Sequence, residues 1–384
     1  MKNLFYLFTL CSMGVFFTGC DNDDDDHNDD DHSHVVAPET YSFDRDGMST
    51  VSFGGQTCRV QMAADIYSAL NDPSFTAAQI MQMFDDGTGF TSAYTCGKNV
   101  GSKTAASSTA SATVKGQFDD MVVHLVDNVY PNWTNSASNG VAGQITTSSG
   151  STYQVDAKGL EVDQAFIKGL IGALCVDQIT NNYLTASKLD SGSNDATSLG
   201  GGEYTDMEHY WDEGYGYLYG YNNLHVGGSD DNSIGVSEGH GVLLNKYLKK
   251  VNENNEPGIA NDIYDAFKLG RAAIVAEDYT LRDEQAAIIK QKLDMIVVYK
   301  AIDYLSGGAE TIASGASRED TFHGLSEGYG FVLSLQFTNF FTNSEVNAML
   351  DQMMEGEGFW DITVEELNSM VTQIESAAGI SVGS

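Results

Sequence analysis

Apolar positions recur along most of the chain at the three- and four-residue spacing of helices. In LEVDQAFIKGLIGALCVDQITNNYL, Ile167, Leu170, Ile171, Leu174 and Ile179 fall near one helical face. QAAIIKQKLDMIVVYKAIDYL does the same with Ile289, Leu293, Ile296 and Val297, and IANDIYDAFKLGRAAIVAED with Ile259, Ile263, Phe267 and Ile274. GQFDDMVVHLVDNVY adds Phe118, Met121, Val122, Leu125 and Val129. Near the end, Thr363 to Glu366 has capping-box form ahead of Leu367, Met370, Val371 and Ile374. With only four prolines to interrupt these stripes, the pattern predicts a mainly α fold, a helical bundle. YSFDRDGMSTVSFGGQTCRV instead alternates around a glycine pair and predicts a small β-hairpin near the N-terminus. GSKTAASSTASA, TNSASNGVAGQITTSSGS and SKLDSGSNDATSLGGGE are rich in Ser, Thr, Gly and Asn and predict loops.

Two segments nearly repeat one another. EHYWDEGYGYLYG (208–220) and FHGLSEGYGFVLS (322–334) share His, three residues, Glu-Gly-Tyr-Gly and an aromatic residue. Each follows an apolar helix ending in Tyr-Leu, at Tyr183-Leu184 and at Tyr304-Leu305, and then a polar loop. The helical domain therefore reads as internally duplicated, a pseudo-twofold pair of helical hairpins near 159–225 and 288–340.

At i, i+4 spacing His209 shares a helical face with Glu213, and His323 with Glu327. If the two faces meet in the bundle, two imidazoles and two carboxylates form a metal ligand set suited to iron, zinc or manganese. Gly214, Gly216, Gly328 and Gly330 lower helix propensity and imply close helix approach, with Tyr215 and Tyr329 filling the neighbouring space. The alternative is structural: each His–Glu pair is a buried polar clasp between repeats. Arg271 lies beside the apolar stripe of its helix, and Glu213 or Glu327 would serve as its carboxylate. The other outcome for Arg271 is a stem reaching solvent. The aromatic cluster from Tyr204 to Tyr221 can stack sugars or a porphyrin, but such spacing more often means packing. His124, near Asp120 and Asp127, reads as solvated. No nucleophile elbow, phosphate loop or HExxH occurs.

The ends and the charge set the location. Leu4 to Phe17 is a short apolar run after Lys2, and Phe17-Thr18-Gly19-Cys20 resembles a bacterial lipobox with Cys20 as the lipidated residue. The expected layout is a signal peptide at 1–20, an acidic disordered tether at 21–40 and the helical domain at 41–384. In the tether, His27, His32 and His34 among the aspartates are at most loose cation collectors. The net charge of −35 excludes nucleic acid as a partner. Cys58 and Cys96 can bridge in an oxidising compartment, and Cys175 reads as a buried hydrophobe.

The blocks YSFDRDGMSTVSFGGQTCRVQM, MEHYWDEGYGYL, FKLGRAAI and HGLSEGYGF resemble the Gram-negative lipoprotein family catalogued as domain of unknown function forty-eight fifty-six. That resemblance supplies no activity. In setting the family is similar to imelysin-like proteins, helical envelope proteins associated with iron uptake. Their motif spaces His and Glu by two residues rather than three. The resemblance implies an outer-membrane lipoprotein, surface-exposed or periplasm-facing. The expected function is a non-enzymatic iron or divalent-metal uptake accessory, with His209, Glu213, His323 and Glu327 as ligands, Arg271, Tyr215 and Tyr329 around them, and an outer-membrane transport receptor as partner. The alternatives are a metallohydrolase on the same residues, or a glycan- or protein-binding lipoprotein whose His–Glu motif is structural.

Overall fold

A string of helices with two short hairpins inserted accounts for residues 35–195, 197, 203–220 and 243–381, the residues that the computed structural model describes. The segment expected to be a signal peptide, with Cys20, the acidic tract with His27, His32 and His34, and also Tyr221, His225 and His240, lie outside the described residues. The first hairpin pairs β1 (Asp44–Arg45) with β2 (Met48–Ser49). Its turn is Asp46-Gly47, with φ of 52° and 80°, the left-handed pair that a tight two-residue turn requires. The glycine pair of the predicted hairpin, Gly54-Gly55, instead opens helix α1 (Gly54–Leu70). Helices α2 (Ala77–Met81) and α3 (Ser111–His124) follow, and Cys58 on α1 is disulfide-bonded to Cys96 between them.

A second hairpin pairs β3 (Gly143–Thr146), inside the stretch predicted as loop, with β4 (Thr152–Val155) just after it. Its Ser/Thr/Gly composition hides the alternation of Ile145 and Val155, which are buried, with polar partners that are not.

Next comes α4 (Val162–Leu170), which continues through wider π-helical turns at 171–176 and 179–183. One apolar stripe was expected here, yet nearly every side chain from 162 to 180 is buried. A helix enclosed on all sides must satisfy its polar residues internally. Asp163 accepts from Asn71 Nδ2 at 3.2 Å, Lys168 donates to Gln164 Oε1 at 2.9 Å, and Asp177 accepts from the Ser107 amide at 2.9 Å. Phe84, Phe118 and Phe166 meet around α4, with centroids 5.2 to 6.4 Å apart.

Helices α5 (Ala186–Leu189) and α6 (Asp206–Tyr219) lead to α7 (Leu244–Asn254) and α8 (Ile259–Val275). Then comes α9 (Tyr279–Ala313), at 35 residues the longest, spanning about 50 Å. It begins at the Asp278 cap, which accepts from the Leu281 amide, and ends before Gly315 at φ 76°. Helix α10 (Glu319–Ser334) lies between α4 and α9, with α11 (Asn343–Met353) against it. Helix α12 (Val364–Ala378) closes the far side of α9, and Thr363 and Glu366 form the expected capping box. Among the described residues no helix is long and apolar enough to cross a membrane.

Candidate functional site

The first motif lies on α6, whose N-terminus is fixed by a capping box between Thr205 and Glu208. Its His209 ring stacks on Tyr204 with centroids 4.6 Å apart, and Nε2 stands 4.0 Å from Glu213 Oε1. Glu213 accepts from Gln56 Nε2 of α1 at 2.7 Å, and the Tyr183 hydroxyl lies beside its carboxylate. His209 Nδ1 is buried with no hydrogen-bond partner among the described residues.

The second motif repeats this plan on α10. His323 stacks on Tyr153 at 4.5 Å, and Glu327 lies beside Tyr304. Tyr183 and Tyr304 are the tyrosines of the two Tyr-Leu helix ends, so the repeat extends to the contacts of its carboxylates. The glycines carry the same logic. A Cβ on Gly214 would press on Tyr183 and Leu184, and one on Gly328 on Tyr304. Gly216 is pressed by Phe53 and Gln56, and Gly330 by Lys168 and Gly169. The glycines let α6 and α10 lie directly against their neighbours.

The two motifs differ in what neutralises them. Lys168 Nζ is 3.1 Å from Glu327 Oε1, with both side chains 9% exposed, and Tyr247 donates to the same oxygen at 3.2 Å. Burial alone would raise the Glu327 carboxyl, but Lys168, the Tyr304 hydroxyl and the nearby His323 together outweigh it and hold the group down at about 2. Burial wins on the other partner and lowers the Lys168 ammonium despite Glu327. His323 is not turned to Glu327. Its Nδ1 lies 3.1 Å from Glu161 Oε2, at the start of α4. Burial pushes Glu161 up to about 7 against the His323 hydrogen bond, while that bond raises His323.

Arg271 is fully buried and does need a carboxylate, but its partners are not Glu213 or Glu327. Its Nη1 bonds Glu208 Oε1 at 2.8 Å and its Nε bonds Asp212 Oδ1 at 3.2 Å. Asp212 also accepts from the Tyr41 hydroxyl at 2.6 Å and the Ser52 amide at 2.9 Å, and Arg45 Nη2 reaches Glu208 at 2.9 Å. This ionic cluster ties the N-terminal hairpin to α6 and α8. Tyr215 is buried, stacked on Tyr41 at 3.7 Å, and Tyr329 is partly buried. His124 is half-exposed and bonds Asp156 Oδ2 at 3.1 Å rather than Asp120 or Asp127.

The donor sets can be tested against a metal. Glu213 and Glu327 bind disjoint sets of partners, and among the described residues no group of three or more His, Cys, Asp or Glu converges. At the second motif an ammonium already stands against the carboxylate, and the imidazole faces another acid. At the first, His209 and Glu213 supply two ligands, fewer than the three or four protein donors of zinc sites. Lys168, Tyr247, Tyr153 and Glu161 were not legible as site residues. The only signal was positional, a lysine inside an apolar helix.

Searches of curated proteins and of solved structures returned no match to this chain. A family model does match, over residues 38–381, and the chain belongs to that family, described as Domain of unknown function (DUF4856).

Proposed function

We propose that the protein is a non-enzymatic binding lipoprotein of the cell envelope, anchored at Cys20, in which the duplicated His–Glu motif is a structural clasp. The observation that carries the clasp is Lys168 at 3.1 Å from Glu327, a built-in cation where a metal would have to stand. The Cys58–Cys96 disulfide supports an oxidising compartment.

A metal reading survives at the first motif alone, where His209 Nδ1 is buried without a partner among the described residues. There His209 and Glu213 would hold iron or another divalent cation, for uptake through an outer-membrane receptor or for hydrolysis.

Elemental analysis of the purified protein beside its His209→Ala/His323→Ala variant separates the two. The clasp reading expects metal well below one equivalent and the same content in both proteins. Near-stoichiometric metal that disappears in the variant would overturn it. The element would then distinguish iron handling from zinc chemistry.

A further inference from the structure

Beside the second motif, α1, α4 and the start of α7 line a half-open cavity of about 150 Å³. Tyr67, Lys168, Lys246 and Tyr247 supply its polar lining, over an aliphatic floor that includes Ile167 and Ile171. Cavities of roughly this volume accept a single benzene-sized ring.

The hydrogen bonds around it are incomplete in one sense only. An ammonium can only donate, so Gln164 presents Oε1 to Lys168 Nζ at 2.9 Å and turns Nε2 to the Tyr67 hydroxyl at 2.5 Å. The Tyr67 oxygen is therefore an acceptor, and its proton has no acceptor among the described residues. Lys168 directs two of its three N–H groups to Gln164 and Glu327, leaving one. Lys246 and Lys250, one turn apart on α7, form no ion pair among the described residues, whereas Lys249 between them pairs with Glu253. Both ammoniums lie within 5.8 Å of the Tyr247 ring centroid. In a chain of net charge −35, spare donors, a lining lysine (Lys246) and a second lysine one turn away (Lys250), both without an ion pair among the described residues, suit an anion. Three carboxylates act on this cluster: Glu327 is matched by Lys168, Glu161 is bonded to His323, and Asp163 accepts from Asn71 and Gln164, which leaves Lys246 and Lys250 as the unmatched charges.

We propose that this cavity binds a small monocarboxylate with a compact apolar body, an aryl or branched-alkyl acid. Lys246, the Tyr67 hydroxyl and the remaining N–H of Lys168 hold the carboxylate, and Ile167 and Ile171 pack against the body. This names a ligand class for the binding role proposed above and rests on that reading.

Benzoate titrated calorimetrically into the purified full-length protein tests it, with benzyl alcohol as the uncharged counterpart. Two variants accompany the wild type: Lys246→Gln/Lys250→Gln, which removes the spare charge, and Ala64→Phe, which fills the cavity from its partly exposed wall. Saturable one-to-one benzoate binding is expected, with benzyl alcohol weaker by about tenfold or more and each variant weakened by a similar factor. No saturable binding at millimolar benzoate, equal binding of benzyl alcohol, or unaltered affinity in both variants would overturn the proposal. Metal lost from His209→Ala/His323→Ala would sink the clasp reading while leaving this cavity untouched, so the two failures are distinguishable.

Discussion

Replacing Lys168 by Met removes the lysine that, among the described residues, alone forms an ion pair with Glu327, and keeps the aliphatic stem. Glu327, with a side chain 9% exposed, would then rely on Tyr247 and the neighbouring Tyr304. A buried carboxylate that has lost its partner is destabilising by roughly 3–5 kcal/mol if it stays charged. Protonation sets an upper limit. The gap between pH 7 and the ordinary Glu value of 4.5 converts to about 3.4 kcal/mol, so a loss of about 3 kcal/mol is expected at pH 7. The sign with pH follows. With Lys168 present the Glu327 pKa is depressed, so its stabilisation is present above pH 4.5 and lost as pH falls toward about 2. In the variant the penalty vanishes once Glu327 protonates, so the gap between the two proteins narrows from pH 7 to 4.5. Urea unfolding of wild type, Lys168→Met, Glu327→Gln and the double variant gives the coupling energy. A loss under about 1 kcal/mol at pH 7, or one that stays constant down to pH 4.5, would refute the ion pair as the anchor of this half.

Other outcomes follow from the same contacts. Gly216→Ala and Gly330→Ala force a Cβ into Phe53 and Lys168 and should each destabilise by about 1–3 kcal/mol in urea melts. Gly324→Ala, on the same α10 but with open space around it, should be neutral or stabilising by up to about 1 kcal/mol. Glu161 is held up at about 7 by burial and His323 is raised by Glu161, so both favour the folded state below their unfolded values. That contribution disappears as pH rises from about 4.5 past 7, and Glu161→Gln should flatten this slope in pH-dependent unfolding.

The helices and the parallel contacts of the two motifs were legible because both depend on local spacing. Stripes such as Ile259, Ile263 and Phe267 mark α8, and the Tyr-Leu ends placed Tyr183 and Tyr304 beside their carboxylates. Spacing says which residues share a face, not which face points inward. Glu208 and Asp212 are also i, i+4 on α6, about 100° round from His209 and Glu213, and they are the pair that takes Arg271. Burial of the whole 162–180 stretch was hidden because its apolar stripe looked like one side of a surface helix, whereas Lys168 and Asp163 are buried by partners far along the chain. The β3–β4 hairpin was missed because strands of four residues, Gly-Gln-Ile-Thr and Thr-Tyr-Gln-Val, are too short to carry a clear alternation.

The most direct measurement is thermal unfolding of the wild type and of His209→Ala/His323→Ala with chelator, with added iron(II) and with added zinc. A ligand that binds only the folded state raises its melting point by mass action. A structural clasp predicts that chelator and metals leave the wild-type midpoint unchanged while the variant melts lower under every condition. A midpoint that falls with chelator, rises with one metal and no longer responds in the variant would contradict the clasp and establish a metal centre on the motif.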